Sequence, residues 1–240
     1  MNRATLLFAA ASLSGLIAAG GTQAGTTIST SGNSVSIVTG SGITMGDVVV
    51  GKGPLQTEER KTAAYSGVVV EASAVVNYTV GSTPSLKVTA PANILPLVST
   101  EIKSGKLVVG IKKSISTEKM IRIDATGPNL EAVDITGSGE LNLNGQTSGK
   151  LSLAVSGSGT VAANGQVDSL TADISGAGGI NAEKLRAANL QAVISGSGSV
   201  SATATNAATV DLIGSGDVVI AGNPKQRKID RSGSGEVSFK

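Results

Sequence analysis

Two pairs of carboxylates are the groups best placed to do chemistry in this chain. Asp211 and Asp230 lie 19 residues apart, and so do Asp217 and Glu236. If that separation is one turn of a stacked structure, each pair sits about 5 Å apart on neighbouring strands. Carboxylates so placed can share a Ca²⁺, which takes six to eight oxygen ligands, or act as acid and base in glycoside cleavage. They can also belong to a solvated outer face on which like charges are tolerated. That is the favoured interpretation, because exposed carboxylate pairs are common and perturbed ones rare. The chain has no His and no Cys, which removes imidazole acid–base catalysis, thiol nucleophiles and the His/Cys metal centres. No residue is assigned as catalytic or metal-binding, and no cofactor is expected.

The 19-residue step belongs to a longer pattern. Gly-x-Gly triplets begin at Gly137, Gly157, Gly176, Gly196, Gly214 and Gly233, with steps of 20, 19, 20, 18 and 19 residues. Five are Gly-Ser-Gly, and the one at Gly176 is Gly-Ala-Gly. A fixed period near 20 is the signature of a stacked repeat. Four and two residues before each triplet stand pairs such as Val133 and Ile135, Leu153 and Val155, or Ala192 and Ile194. Four and six residues after it stand pairs such as Leu141 and Leu143 or Val218 and Ile220. Of these positions only Arg231 is not apolar. Alternation at period two on both sides of a Gly corner means two short strands per repeat, each with one buried face. Stacked in parallel, such units share an aliphatic core and bond backbone to backbone.

The predicted fold class is therefore all-β: a parallel β-helix with 19–20 residues per coil over residues 130–240, preceded by an irregular β-rich half. Gly145, Gly165 and Gly222, eight residues after a triplet begins, mark a second corner, twice as Asn-Gly. Repeated Gly-x-Gly also suggests dinucleotide binding, but that fingerprint requires a helix after the glycines, and here each triplet leads into another strand. The Ser and Thr columns at the corner (Thr136, Ser156, Ser175, Ser195 and Ser232; Ser138, Ser158, Ser197, Ser215 and Ser234) are read first as hydroxyls bonding nearby backbone. A second use is a hydroxyl-rich edge that docks a glycan or a crystalline lattice. Residues 223–240, with Pro224 and with Arg227 and Arg231 at inward positions, are read as a cap that opposes end-to-end aggregation. A basic ligand site of Lys225, Arg227, Lys228 and Arg231 is the competing use of the same residues.

Residues 1–24 have the form of an export signal: Arg3, the apolar run Leu6–Ala19, and small residues before Gly25. The run is too short to span a bilayer, so no transmembrane segment is expected in the mature chain. Residues 25–47 are expected to be a flexible Gly/Ser/Thr-rich segment, with Gly40-Ser41-Gly42 a candidate corner of a seventh, degenerate coil. Residues 48–129 form the β-rich N-terminal half. Lys and Arg number 19 against 17 Asp and Glu, so charge gives no reason to expect nucleic acid or an anionic membrane as partner. After residue 24 the aromatics are Tyr65, Tyr78 and Phe239 alone.

These features together resemble the auto-transporter adhesin head (GIN) family of bacterial exported proteins. The resemblance rests on Thr57-Glu58-Glu59-Arg60, Tyr65-Ser66-Gly67-Val68, Pro91-Ala92-Asn93-Ile94-Leu95-Pro96, Lys106-Leu107-Val108-Val109 and the coils from Ile135-Thr136-Gly137-Ser138-Gly139 onward. It covers roughly residues 48–240 and implies a β-helix-like domain spanning both halves, with no catalytic residues to carry over. No C-terminal membrane barrel of alternating strands is read in the chain. The expected function is that of an exported, non-enzymatic β-helix, a cell-envelope or surface binding module. The expected location is the periplasm or the cell surface. Its ligand would be an extracellular or envelope glycan or protein, and homo-oligomers are possible. The alternatives are a carbohydrate-active β-helix enzyme using Asp211, Asp230, Asp217 and Glu236, and a structural envelope protein that binds other proteins.

Overall fold

The computed structural model describes residues 27–31, 34–38, 44–147 and 149–240, with side chains from residue 48 onward. The expected export signal of residues 1–24 and the Gly40-Ser41-Gly42 triplet lie outside the described residues. The chain divides into Met1–Asp47 and Val48–Lys240. In the first unit β1 (Thr27–Ser31) and β2 (Ser34–Val38) pair antiparallel, with Thr27 opposite Val38. The Thr, Ile and Val of this stretch favour strand over the looser form that its Ser content suggests.

The second unit is a β-solenoid. β3 (Thr44–Val50) enters it, and β4 (Leu55–Glu59) is exposed at every residue. β5 (Gly67–Val70) and β6 (Val75–Val80) then bury Val68, Val70, Val76 and Tyr78 on either side of Ala72-Ser73-Ala74. β7 (Ser85–Pro91), a 3₁₀ turn at Leu95–Leu97, and β8 (Val98–Lys103) lead back across the end of the stack. β9 (Lys106–Ile111), β10 (Ile115–Ser116) and β11 (Arg122–Gly127) form another coil. β12 (Ala132–Ile135), β13 (Glu140–Thr147) and β14 (Lys150–Gly157) begin the regular repeat. β15 (Thr160–Gly176), β16 (Gly179–Gly196) and β17 (Ser199–Gly214) each bend around most of a coil. β18 (Asp217–Ala221), β19 (Gln226–Gly233) and β20 (Glu236–Phe239) close the chain.

Parallel pairing carries the stack along two long sides. Before the corner, the order is β9, β5, β12, β14, β15, β16, β17, β19, with β8 antiparallel outside β9. After the corner it is β11, β6, β13, β15, β16, β17, β18, β20, with β7 antiparallel outside β11 and β4 outside β7. One inward column can be followed from end to end: Leu107, Val68, Val133, Leu153, Ala172, Ala192, Val210, Ile229. All but the last are buried. At roughly 1.5–3 kcal/mol for each fully buried Val or Leu, such columns are the main favourable term in a chain without disulfides.

Two features go beyond the sequence pattern. The coil β5–β6 is regular, with Val68, Val70, Val76 and Tyr78 at the offsets of the later repeats and Ala72-Ser73-Ala74 in the corner. It lies between β9–β11 and β12–β13, so the order of layers is not the order of the chain. Each regular coil also has a third, short side. In β16 the buried residues are Ile180, Ala182, Leu185, Ala187, Leu190, Ala192 and Ile194. The non-buried pairs Glu183–Lys184 and Ala188–Asn189 break the alternation, and the ladder shifts register there. Val167, Ala187 and Ala204 stack as an inward column of this side.

Gln146 holds the crossover that leads from β11 into β12. It is the one polar residue buried among those described, 1% exposed. Its Oε1 accepts from Leu130 N–H at 3.1 Å and its Nε2 donates to Leu130 C=O at 2.8 Å. The amide thereby replaces a missing ladder rung where the chain crosses the β5–β6 coil.

Candidate binding surface

The corner is built by backbone. Ala177 N–H donates to Gly157 C=O at 2.9 Å, Ser197 N–H to Gly176 at 2.9 Å, and Ser215 N–H to Gly196 at 2.9 Å. Gly176 has φ +133° and a Cβ there would lie 2.6 Å from Gly157 O, so side chains are excluded by conformation and by space. At Gly198 a Cβ would lie 2.5 Å from Ile174 Cγ2 and 2.6 Å from Gly178 O, so the second glycine is set by core packing and by the backbone of the previous coil. With the backbone bonded coil to coil, the serine hydroxyls have no backbone to serve. Among the described residues the only hydrogen bond of a corner serine hydroxyl is Ser73 Oγ to Ser138 Oγ, at 3.2 Å. Ser156, Ser158, Ser175, Ser195, Ser197, Ser215, Ser232 and Ser234 are exposed. The column Ser156, Ser175, Ser195, Ile213, Ser232 is interrupted once, by Ile213 at 53% exposure.

The predicted acidic pairs are in register: Asp211 opposite Asp230, and Asp217 opposite Glu236. All four are exposed. Asp217 Oδ1 accepts the Glu236 backbone N–H at 3.3 Å, the sole hydrogen bond of these four carboxylates among the described residues. No group of three or more His, Cys, Asp or Glu is arranged to hold a metal ion among the described residues. The pairs thus sit on an open face with water as their available partner.

Hollows occur elsewhere. One of about 470 Å³ opens at the N-terminal end of the stack between β4 and β8, lined in part by Glu58, Arg60, Leu95, Thr100, Glu101 and Lys112. Gln56 and Glu58 are paired with the inward residues Ala90 and Val88, so both project over the end of the core. Arg60 spans the gap: it donates to Val98 C=O at 2.7 Å, Thr100 Oγ1 at 3.1 Å, Leu95 C=O at 3.1 Å and Glu58 Oε2 at 3.3 Å. On the rim the Lys103 ammonium holds the Glu101 carboxyl below the usual carboxylate range, and Glu101 holds Lys103 above the usual ammonium range. A second hollow of about 240 Å³ lies beside the Ser73–Ser138 corner under exposed Met120. None of Asp211, Asp230, Asp217 and Glu236 lines either hollow.

At the opposite end, Arg227 and Arg231 continue the inward columns of Ala208 and Leu212, as their sequence positions imply. They are exposed rather than tucked into the core. The Arg227 guanidinium lies 4.1 Å from the centre of the Phe239 ring, and Arg231 donates to Gly235 C=O at 3.0 Å. Pro224 is buried and accepts from Arg227 at 3.2 Å.

The family model for the head GIN domain described as "putative auto-transporter adhesin" matches residues 64–224. The chain belongs to this family. Among solved structures, this GIN-domain protein is similar to one from Bacteroides fragilis described as a putative adhesin. The two share 22% identity with a TM-score of 0.66, covering 80% of this chain and 100% of the other. It is similar as well to one from Parabacteroides merdae with the same description, at 18% identity, TM-score 0.54, and coverage of 81% and 100%. A third, from Parabacteroides distasonis, is described as a lipid-binding protein (putative); it shares 22% identity, with TM-score 0.51 and coverage of 80% and 99%. These likenesses concern the fold. No curated protein matches the chain. No helix among the described residues is long and apolar enough to cross a membrane.

Proposed function

We propose that this GIN-domain protein is an exported, non-enzymatic binding module of the cell envelope or surface. In this reading the solenoid of residues 48–240 presents repeated polar columns to a glycan or protein. The observation that carries it is the corner ridge: its backbone is bonded from coil to coil, which leaves rows of exposed, unengaged hydroxyls at a spacing of about 4.8 Å. Each hydroxyl contributes little, and affinity comes from many engaged at once on a scaffold that loses little entropy on binding. The family to which the chain belongs supports a surface role. The openness of the four carboxylates supports a use in solvation rather than catalysis.

The test is protease shaving of intact cells, with immunoblotting of the chain beside a periplasmic marker. Degradation while the marker survives is the expected result for a surface module, and warrants a glycan-array screen. Protection until the outer membrane is opened overturns the surface assignment and leaves a periplasmic binding role.

A further inference from the structure

Both ends of the solenoid expose a strand that has no buried residue. β4 is exposed at all five positions and β19 at all eight. Each pairs with a single neighbour among the described residues, β7 and β17 respectively. β8 and β20 are likewise paired on one edge, with β9 and β18. Backbone donors and acceptors on such edges are templates for another strand unless something blocks them.

The inward columns show which partner fits. Ile102 on β8 is opposite Leu107, at the head of the column that ends in Ile229. These two termini of one column are 37% and 47% exposed, two of the five large hydrophobics exposed among the described residues. The adjacent column begins at Thr100, opposite Val109, and ends at Arg231, opposite Leu212. Thr100, Glu58 and Glu101 line the N-terminal hollow together with Arg60 and Lys112, and Glu58 is paired with Arg60 and Glu101 with Lys103. Charge follows the same division. The outer strands of the N-terminal end, β4 and β8, carry three acids (Glu58, Glu59, Glu101) against one base, Lys103. Those of the C-terminal end, β19 and β20, carry three bases (Arg227, Lys228, Arg231) against two acids (Asp230, Glu236).

We infer that the C-terminal end of one copy docks on the N-terminal end of a second, head to tail. Ile229 meets Ile102, and Arg231 comes to lie over Thr100 at the edge of the hollow. The charged edge then has a selective role: two C-terminal ends repel each other, whereas the balanced N-terminal end does not repel a C-terminal one. A head-to-tail contact between identical chains is heterologous and does not close on itself, so it propagates as a filament. It would extend the aliphatic columns, and any ridge along the corner, from copy to copy. The end of one coil is small beside the roughly 1,600 Å² of a stable interface, so the contact is weak in dilute solution and is best trapped covalently.

The chain lacks cysteine, so single thiols report without background. Ile102→Cys and Ile229→Cys are made separately in the full chain and oxidised with diamide, alone and mixed in equal amounts. The expected result is disulfide-linked dimer in the mixture at least tenfold above that in either variant alone, with a ladder of higher species from the double variant. Arg231→Glu in the Ile229→Cys background should lower the mixed dimer by about tenfold. Dimer in Ile229→Cys alone, equal yields in all mixtures, or no dimer with both variants folded by circular dichroism each overturns the inference. Failure here leaves the surface assignment untouched, because that rests on cell localisation.

Discussion

The early region, residues 48–129, and the repeat region, residues 130–240, extend the same aliphatic columns but are specified by different means. In the repeat region each coil lies on the previous one, and glycine corners with coil-to-coil backbone bonds suffice. In the early region layers are laid down out of order and two strands run antiparallel, so side-chain hydrogen bonds settle what periodicity does not. Arg60 ties the returning strands, Gln146 reaches from the first regular coil to hold the crossover, and Tyr78 donates to Pro128 C=O at 2.7 Å. The regular coils carry side-chain bonds too, such as Asn164 to Asn144 and Asn206 to Asn189, but these link neighbouring coils in chain order. The difference teaches that regular stacking is enforced by exclusion of side chains, and irregular stacking by specific polar contacts.

The largest effect that would sharpen this contrast is expected at a repeat corner. Gly176→Ala must place Cβ at φ +133° and 2.6 Å from Gly157 O, and should cost about 3 kcal/mol or more, read as a lower urea midpoint. Gly137→Ala, at the junction with the early region, meets its nearest atom, Glu71 O, at 3.4 Å and needs no positive φ. It should cost under about 1 kcal/mol. Equal losses would mean that the two corners are specified alike.

The two end arginines come next. Arg60→Met removes four hydrogen bonds from a side chain only 15% exposed and should cost about 2–3 kcal/mol. Arg227→Met removes the stacking contact with Phe239 and hydrogen bonds to Pro224 C=O and Asn223 Oδ1, but from an exposed side chain whose partners water can serve, and should cost about 1 kcal/mol. If the order reverses, the C-terminal end is the firmer one. Gln146→Leu leaves the Leu130 N–H and C=O buried without partners, and a loss of about 2 kcal/mol is expected. Hydrogen exchange should localise that loss to residues 128–132 rather than to the later coils.

The smallest effect at neutral pH, and a selective one at high pH, concerns the tyrosines. Both are buried and lie edge to face at 6.1 Å. Burial raises the pKa of both phenols, and the neighbouring Tyr65 raises that of Tyr78 further. The fold therefore favours the neutral phenol. This contribution is complete below the ordinary value of 10.0 and is lost as pH rises above it. The chain contains two tyrosines, so absorbance at 295 nm should show no phenolate near pH 10 and then a rise coincident with loss of the β-sheet signal. Ordinary ionisation near pH 10 with the fold intact would show the early region to be open around them.

What was legible in the sequence was whatever repeats. Strand alternation places side chains on a face by local geometry alone, so Val133, Ile135 and their equivalents identified the core, and paired glycines identified the corner. The same logic put Asp211 with Asp230, and Asp217 with Glu236, in register on an outward face. The β5–β6 coil was legible too, in Val68, Val70, Val76 and Tyr78, but Ala72-Ser73-Ala74 lacks the glycines that draw attention. The third side was concealed because its inward residues, such as Leu185 and Ala187, follow a break of two residues that resets the alternation.

The sequence by itself determined the coil: its length, its inward residues and its glycine corners, all consequences of backbone geometry within about 20 residues. Only the tertiary structure decided the order of the coils and the form of the ends. A column of valines stacks equally well on any aliphatic neighbour, so nothing in Val68 or Val133 dictates that they meet. That choice falls to contacts across long separations, such as Arg60 with Val98 and Tyr78 with Pro128, which exist only when the whole stack is in place.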